Sequence, residues 1–512
     1  MQDTSANNKR IAKNTLMLYI RMFFWLVVSL YTSRVVLRTL GVIDFGIYNV
    51  VAGFVSLFGF LNGTLSSSIQ RFYNTEKANN GIIGVNKIYS LGFIIHFFFA
   101  IALFVVLETF GIWYINNIMV IPAERMMAAN FVFQAVVVSM SLTIFQIPYL
   151  GLVIAYEYMD YYAIVSIIDV VLKLLIILVL PFVGTDKLIF YSILLLLVSV
   201  LDFILYYIFV KRKIFGLQLQ IKANKKAEFK GFMSFVSWNL YGTLIYSLKG
   251  QGVNILLNGY FGPVINAARG IAIQIHSASN TFSTSITTAF RPQIVEAYSR
   301  AEDNRVKFLF FSEIRICYAM ILFIVVPLIF EMNQILGLWL GNNVPDYTGL
   351  FSILVLIDLL FGVFNQPIVQ VAFAVGNIRN FQIANSIVNM LLLPLCWFFL
   401  SLGYSAASSF VITIFVNICN QIVCFYALSK MYSAIKSKEF LGKVLFPCFF
   451  ATLLTATPQL ILHYMVPEGF MRFVVTSLVH VIVTTITIYY VILKDRERKI
   501  VKEKVFQIAK KL

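Results

Sequence analysis

Apolar residues follow one another along this chain in long runs, broken by glycine, proline and short charged clusters. The segments 88–107 and 473–493 contain no Asp, Glu, Lys or Arg. As helices, both are long enough to cross a hydrocarbon core of ~30 Å. No series of alternating ten-residue strands, typical of an outer-membrane barrel, is present. The pattern therefore predicts an all-α integral membrane protein.

About fourteen transmembrane helices follow from the hydropathy and its breaks, at roughly 20 residues for each span. Their predicted bounds are Thr15–Leu37, Phe45–Ile69, Ile88–Tyr114, Ala128–Ala155, Tyr161–Phe182, Leu188–Val210, Phe232–Asn258, Val264–Phe290, Phe308–Phe330, Gly349–Val375, Phe381–Leu402, Ser405–Tyr432, Val444–Val466 and Phe470–Leu493. The connecting loops on the predicted outer side are short, which leaves no room there for a folded extramembrane domain.

Lysine and arginine collect in alternate loops, and cytoplasmic loops are the ones that carry this excess. Both termini are therefore predicted to be cytoplasmic. The formal net charge of +17 follows mostly from this bias, so no nucleic-acid partner is expected. The basic tail 494–512 has apolar residues on one helical face and suits a helix on an anionic leaflet, with a solvated tail as the alternative.

The two halves of the chain show a sparse internal repeat. At a shift of 218 residues, Ser29–Gly41 aligns with Ser247–Gly259, and at a shift of 220 Arg71 aligns with Arg291. Two parallel six-helix lobes are predicted, with a substrate path where the repeats meet. The predicted parts are an N-lobe (1–215), a basic cytoplasmic linker (216–231), a C-lobe (232–440), a terminal helix pair (441–493) and the tail (494–512).

Polar residues and glycines recur on one face of the second predicted helix and of its partner in the repeat. They are Asn49, Gly53, Ser56, Gly63, Ser67 and Arg71 in the former, and Arg269, His276, Asn280, Ser283, Thr287 and Arg291 in the latter. In lipid, such a stripe is tolerated where it faces other helices or water. Gly59 and Gly63 form a GxxxG pattern, for which close helix packing is the alternative explanation.

Cations inside predicted spans are the most informative residues, because each costs about 2.5 to 3.5 kcal/mol at a helix centre. We expect Arg21, Lys249 and Arg269 to line an aqueous cavity, with Arg34 at its outer mouth. The glycines of "KGQG" would let the helix unwind at Lys249. His276, Arg71 and Arg291 complete the predicted cationic substrate site. Snorkelling to the membrane surface is the alternative for Arg38 and Arg315.

Acidic residues in the spans are candidates for binding a coupling ion, H⁺ or Na⁺. Asp169 and Lys173 are four residues apart and can pair on one helical face. That pair is either a coupling site or a purely structural contact. Asp358 is a further candidate.

Motifs of catalytic metal or nucleotide sites are missing from the sequence. It contains no HExxH and no GxxxxGK[ST], and its five cysteines lie in apolar segments without a CxxC pair. We therefore expect no catalytic residues, no bound metal and no cofactor apart from a coupling ion.

The stretch "SRVVLRTLGVIDFGIYNVV" (Ser33–Val51), followed by Gly63 and "SSSIQRF" (Ser66–Phe72), resembles the opening helices of polysaccharide flippases. These belong to the multidrug/oligosaccharidyl-lipid/polysaccharide exporter superfamily. The resemblance rests on residues Arg34, Leu40, Gly41, Asp44, Gly46, Tyr48 and Arg71, and on the helix count over the whole chain.

The resemblance implies a MATE-like exporter fold and a transporter, not an enzyme. Its substrate would be a polyprenyl-diphosphate-linked oligosaccharide, such as an O-antigen repeat unit in lipopolysaccharide synthesis. Alternating access would move it from the inner to the outer leaflet of a bacterial inner membrane, driven by an ion gradient. Membrane lipids and other polysaccharide-assembly proteins are the implied partners. Buried Arg and Lys suit a diphosphate, which Arg holds in a bidentate fork.

Two other functions are compatible with the sequence. A cation-drug exporter of the same superfamily would be expected to line its lobes with carboxylates, whereas the first two helices carry arginines and only Asp44 as an acid. A membrane polysaccharide polymerase or acyltransferase would need catalytic groups at a membrane face, commonly in a sizeable loop. No such constellation of His, Asp or Glu is evident at the predicted outer surface.

Overall fold

A computed structural model describes residues 2–156, 158–219, 244–245, 247–376, 379–495, 497–499 and 502. Across these residues the chain is helical, with no strand. The helices are α1 Gln2–Ser56, α2 Phe60–Val106, α3 Ile112–Asn117, α4 Met126–Ala155, α5 Met159–Val179, α6 Lys187–Lys213, α7 247–261, α8 Pro263–Ser299, α9 Asp303–Phe330, α10 Met332–Leu340, α11 Thr348–Gly362, α12 Asn365–Val375, α13 Arg379–Met390, α14 Leu392–Ser401, α15 Ala407–Met431, α16 Ser437–Phe440, α17 Phe446–Met465 and α18 Phe470–Thr487.

Eleven helical segments of the described chain are long and apolar enough to cross a membrane. Three predicted spans have no separate counterpart among them. Thr15–Leu37 continues into the second span within α1. Much of Phe232–Asn258 lies outside the described residues. Val264–Phe290 is helical within α8, but its polar stripe lowers its hydropathy. The all-helical membrane architecture is confirmed, and the count of fourteen spans stays a prediction.

Two glycines turn the chain within long helical elements. Gly41 interrupts α1 with φ 82° and ψ 170°, and Gly81 interrupts α2 with φ 57° and ψ −141°. Both positive φ values lie where a Cβ is disfavoured, so glycine provides the turn at low cost. Each element therefore consists of two helices joined with almost no loop. This explains why the predicted bounds near residues 37–45 and 69–88 correspond to single elements.

The chain divides into two compact units, Met1–Ala267 and Ala268–Leu512. In the first unit, α4 packs between α2 and α6, while α1 packs on α4 and α5. Its core includes Ile47, Leu65, Tyr73, Leu107 and Phe133, each without exposed surface. Helix α7 belongs to this unit. The predicted lobe and linker boundaries remain predictions.

The second unit is built around α9 and α15. Helix α9 packs against α11, α17 and α18, and α15 packs against α11, α12, α13 and α14. Its buried residues include Phe310, Ile314 and Cys317 of α9 and Phe351 of α11. Ion pairs occur near the middle of α9, where Arg315 binds Glu497, and directly after its end, where Glu331 binds Arg472.

Candidate substrate and ion sites

The predicted cations of the first two helices are described only in part. Arg21 and Arg34 lie on one helical stretch, since the non-helical residue within α1 is Gly41. Thirteen residues on such a helix correspond to about 220° around the axis, so the two point in different directions. Arg34 is exposed, and the side chains of Arg21 and Arg71 lie outside the described part of the chain.

Lys249 is half-buried near the start of the described part of α7. Residues 247–261 are helical, so the unwinding expected at "KGQG" is wrong. The local chain keeps its backbone hydrogen bonds within the helix, which a membrane environment favours over exposed amides. Farther along α7, Asn254 donates to the carbonyl of Asn49 in α1 at 3.4 Å.

Asparagines tie α7 to its neighbours in the first unit. Asn266 at the start of α8 donates to the Asn254 carbonyl and to its side-chain oxygen, both at 2.8 Å. Asn258 accepts from the amide of Val120 at 3.0 Å and donates to its carbonyl at 3.2 Å. These bonds satisfy buried amides and hold α7 in one register.

Helix α8 brings two predicted site residues to the second unit, Arg269 and His276. They are seven residues apart and so share a face. The guanidinium carbon of Arg269 lies 5.5 Å from the ring centroid of Phe410 in α15, a cation–π contact. His276 interacts electrostatically with Asp358 of α11, which accepts a hydrogen bond of 2.6 Å from Asn417. Both cation sites therefore have partners in α11 and α15.

A cavity of about 220 Å³ lies farther along α8, and we call it the threonine pocket. Its lining consists of Thr284, Thr287, Thr288 and Arg291 of α8 together with Gln366, Val369, Gln370 and Phe373 of α12. Gln370 donates to the Thr287 carbonyl at 2.8 Å, which joins the two helices. The pocket thus offers one guanidinium, three hydroxyls and two amides.

The hydroxyls of α8 also form hydrogen bonds with the backbone of their own helix. Thr284 and Thr288 donate to backbone carbonyls three and four residues earlier, those of Thr281 and Thr284, at 2.9 and 2.8 Å. Their protons are thus engaged, while the hydroxyl oxygens can still accept. Arg291 is exposed, and its guanidinium provides five further donors.

A second polar cavity, of about 250 Å³, lies in the first unit, and we call it the aspartate pocket. Asp169 of α5 and Asp202 of α6 line it, together with Gln146, Tyr162, Ser166 and Tyr206. Lys173 binds Asp169 at 2.8 Å, as their spacing allows, and both residues interact electrostatically with Asp202. One oxygen of Asp202 is buried and has no hydrogen-bond partner among the described residues.

Several predicted residues thus lie close to other polar residues. His276 lies near Asp358, and Arg291 faces hydroxyls and amides in the threonine pocket. Asp169 and Lys173 belong to the first unit, whereas Asp358 belongs to the second. Substrate binding by the predicted cations and ion coupling by the predicted acids both stay predictions.

Helix α9 holds an acid that the sequence patterns did not single out, Glu313, and a cation that they did, Arg315. Glu313 has no exposed surface, and both of its carboxyl oxygens are without a hydrogen-bond partner in the described chain. Arg315 is 3 % exposed and binds Glu497, so snorkelling is the wrong explanation for it. Their spacing was a usable signal. Glu313 and Arg315 are two residues apart, so they point to different sides of a helix and do not pair with each other.

The GxxxG pattern of Gly59 and Gly63 is likewise not a packing contact in the described chain. A Cβ at either glycine would have no described atom within 4 Å. Close packing occurs instead at Gly46, where a Cβ would lie 2.0 Å from the carbonyl oxygen of Pro263.

This chain is similar to known proteins in its structure but not in its sequence. The sequence matches no family model and no curated protein sequence. The structure is similar to that of the lipid II flippase MurJ in an inward closed conformation. The TM-score is 0.72 at 15% identity, over 92% of this chain and 98% of that one.

Two structures of MATE transporters are also similar. An inward-facing MATE transporter of the MOP superfamily matches with a TM-score of 0.63 at 13% identity, over 82% of this chain and 98% of that one. A MATE transporter from Vibrio cholerae matches with a TM-score of 0.56 at 14% identity, over 85% and 99%. At these identities the likeness shows the fold alone, and it confirms the all-helical, MATE-like exporter fold expected from the sequence.

Proposed function

We propose that this chain is a flippase for anionic, lipid-linked oligosaccharides of the polyprenyl-diphosphate type. It would carry repeat units for polysaccharide or O-antigen synthesis from the inner to the outer leaflet of a bacterial inner membrane. Alternating access would move the head group, and both termini would be cytoplasmic. The observation that carries this proposal is the threonine pocket, in which Arg291 stands beside three hydroxyls and two side-chain amides.

The chemistry of the pocket matches the head group of such a lipid. A guanidinium binds phosphate oxygens through charge-assisted, often bidentate hydrogen bonds. Hydroxyls and amides provide donors and acceptors for sugar hydroxyls. Arg269 and His276, on the same helix, extend this polar surface within the second unit. The similar fold of MurJ, a lipid II flippase, supports lipid-linked cargo.

The function can be tested with the purified protein in proteoliposomes that contain a short-chain polyprenyl-diphosphate oligosaccharide. We expect flipping by the wild type, and its loss in Arg291→Ala. Arg300→Ala is the matched control, because Arg300 follows the end of α8 and pairs with Glu296 on the surface. A wild-type protein that leaves the oligosaccharide in its original leaflet would refute the proposal.

The predicted cavity cations have their own test in cells. Arg21, Lys249 and Arg269 are each replaced by Ala, and membrane insertion is confirmed. Each replacement should abolish glycan export in a complementation assay. Wild-type export by all three variants would remove these residues from the proposed cationic path.

We further propose that the aspartate pocket couples transport to H⁺ or Na⁺. Two carboxylates and one ammonium in a polar cavity provide a site whose occupancy changes the net charge. Asp169→Asn should abolish the dependence of flipping on an imposed H⁺ or Na⁺ gradient, while gradient-free exchange continues. Unchanged gradient dependence would assign the pair a structural role. Asp358, which also interacts with His276, is the corresponding candidate in the second unit.

The aspartate pocket also favours the second candidate function, export of cationic drugs. Two carboxylates beside the aromatic rings of Tyr162 and Tyr206 suit an organic cation. Expression in a drug-sensitive host distinguishes the two candidates. Resistance to cationic dyes that is lost in Asp202→Asn would favour drug export, whereas unchanged sensitivity would exclude it.

A further inference from the structure

Glu313 lies within α9, in the interior of the second unit, with none of its surface exposed. Neither carboxyl oxygen has a hydrogen-bond partner among the described residues. The hydroxyl of Thr287 in α8 faces the carboxyl group. The thiol of Cys317, one turn farther along α9, contacts that hydroxyl at 3.7 Å.

The charged and titratable groups around α9 in the described chain have other partners. Among the cations, Arg315 binds Glu497, Lys443 binds Glu439 and lies over Phe311, and Arg291 of α8 lines the threonine pocket. Among the other groups, Asp358 of α11 accepts from Asn417, Cys448 of α17 lies near Arg315, and His480 of α18 contacts the Phe323 carbonyl. No cation of the described residues therefore compensates a charge on Glu313.

The lack of a nearby cation among the described residues makes a negative charge on Glu313 costly. An ionised carboxylate taken out of water without a counter-charge or hydrogen bonds is strongly disfavoured, and such a group neutralises instead. A protonated, neutral Glu313 avoids this cost.

Thr287 separates this carboxyl group from the threonine pocket. Its side chain faces Glu313 and Cys317 on one side, and it belongs to the lining of the pocket on the other. The adjoining oxygen of Gln370 is also buried and unpartnered among the described residues. A polar cavity of about 220 Å³ has room for several water molecules.

We propose that Glu313 is a proton-binding site of the second unit and exchanges its proton with water in the threonine pocket past Thr287. On release, the O–H bond of the carboxyl group breaks, the proton goes to a water molecule in the pocket, and a carboxylate remains. That carboxylate becomes tolerable only where water or Arg291 reaches it, so release requires α8 and α12 to move relative to α9. The site is distinct from the aspartate pocket and does not depend on the identity of the transported molecule.

The protonation state can be measured directly on the purified protein in nanodiscs by infrared difference spectroscopy during a pH titration. We expect a band of a protonated carboxylic acid at neutral pH in the wild type that is missing from Glu313→Gln. Glu124→Gln is the matched control, because Glu124 is exposed and its removal should leave the band unchanged. A Glu313→Gln protein that keeps the full band would overturn the proposal.

Thermal stability provides a second measurement on the same variants. Gln is isosteric with the protonated Glu side chain, so Glu313→Gln should match the wild type in Tm at neutral pH. A carboxylate held by an overlooked counter-charge would instead be strongly destabilised by this substitution. A large loss of Tm, or failure to fold, would therefore count against the proposal.

The route past Thr287 is tested by the rate at which the carboxylic acid band disappears after a jump to alkaline pH. Thr287→Val should slow this rate several-fold, because it removes the hydroxyl between the carboxyl group and the pocket. Thr284→Val is the control, since Thr284 lines the same pocket without facing Glu313. Equal rates in the two variants would refute the route. The flipping assay is a separate measurement, so failure of the proposed transport function would not be mistaken for failure of this site.

Discussion

The guanidinium of Arg125 binds both oxygens of the Asp44 carboxylate, through Nε at 2.7 Å and through a terminal nitrogen at 2.6 Å. The same guanidinium binds Asp186 at 2.6 Å. Asp186 in turn accepts from the amides of Leu188 and Ile189 and so caps α6. One arginine therefore joins α1, the start of α4 and the start of α6 within the first unit.

Loss of this arginine should destabilise the first unit. Hydrogen bonds to charged groups are worth about 1.5–3 kcal/mol, and Arg125→Ala leaves two acids without their shared partner. We expect a loss of about 3 kcal/mol in the free energy of unfolding for Arg125→Ala in detergent. Arg125→Lys should recover only part of it, because an ammonium cannot form the bidentate fork. Arg38→Ala, on the exposed side of α1, is the control. Equal stability of Arg125→Ala and Arg38→Ala would contradict this role.

The same contact predicts how stability depends on pH. The hydrogen bond from Arg125 is the main reason that the pKa of Asp186 lies below its ordinary value of 3.8. A folded-state pKa below the unfolded one means that the contribution is complete above about pH 4 and is lost as the pH falls through the folded-state value. The Tm of the wild type should therefore fall on acidification below pH 4 more steeply than that of Asp186→Asn. Parallel curves for the two proteins would show that Asp186 does not contribute.

Close packing of α1 against the start of α8 predicts a sharp effect at one glycine. A Cβ at Gly46 would lie 2.0 Å from the carbonyl oxygen of Pro263 and 2.6 Å from its carbon, both backbone atoms that cannot rotate away. Gly46→Ala should therefore lower Tm strongly or prevent folding. Gly59→Ala is the matched control in the same region, because its Cβ meets no described atom within 4 Å. A Gly46→Ala protein as stable as the control would show that the two helices can separate at little cost.

Local relationships were accessible from the sequence, whereas long-range pairs were not. Asp169 and Lys173 lie four residues apart on one helix, so their contact follows from helical geometry alone. Arg125 is 81 residues from Asp44 and 61 from Asp186, and no spacing rule connects them. Hydropathy located most helices because lipid requires long apolar segments. It also placed the span Val264–Phe290, which lies within α8, although the polar residues of this helix keep it out of the eleven apolar segments of the described chain.

The candidate site shows the same limit. Arg269, His276 and Arg291 could be selected because a polar residue in a span is costly and conspicuous. Their partners Phe410, Asp358 and the α12 glutamines depend on how helices pack, which one sequence does not encode in a readable spacing. The GxxxG of Gly59 and Gly63 shows the converse, since the close packing offered as its alternative explanation is not formed in the described chain.

Arg315 of α9 forms an ion pair with Glu497, which follows α18. The pair is almost fully buried, at 4% and 6% side-chain exposure, and Ser312 also donates to Glu497. Burial raises the pKa of Glu497, but the hydrogen bonds from Arg315, the Lys494 amide and Ser312 together lower it by more than burial raises it. The pKa of Glu497 therefore lies below its ordinary value. The carboxylate is therefore ionised at neutral pH. Removal of one partner leaves a buried charge uncompensated, which typically costs about 3–5 kcal/mol.

Glu497→Gln should consequently lower the free energy of unfolding by about 3 kcal/mol. A double variant, Arg315→Met with Glu497→Leu, replaces both charges by apolar residues and should recover much of that loss. Asp495→Asn is the control, because Asp495 is fully exposed two residues earlier. Chemical denaturation of the four proteins gives the comparison directly. If Glu497→Gln and Asp495→Asn unfold at the same denaturant concentration, the segment after α18 does not depend on this ion pair, and its position must come from the apolar contacts of Ile492 and Leu493 instead.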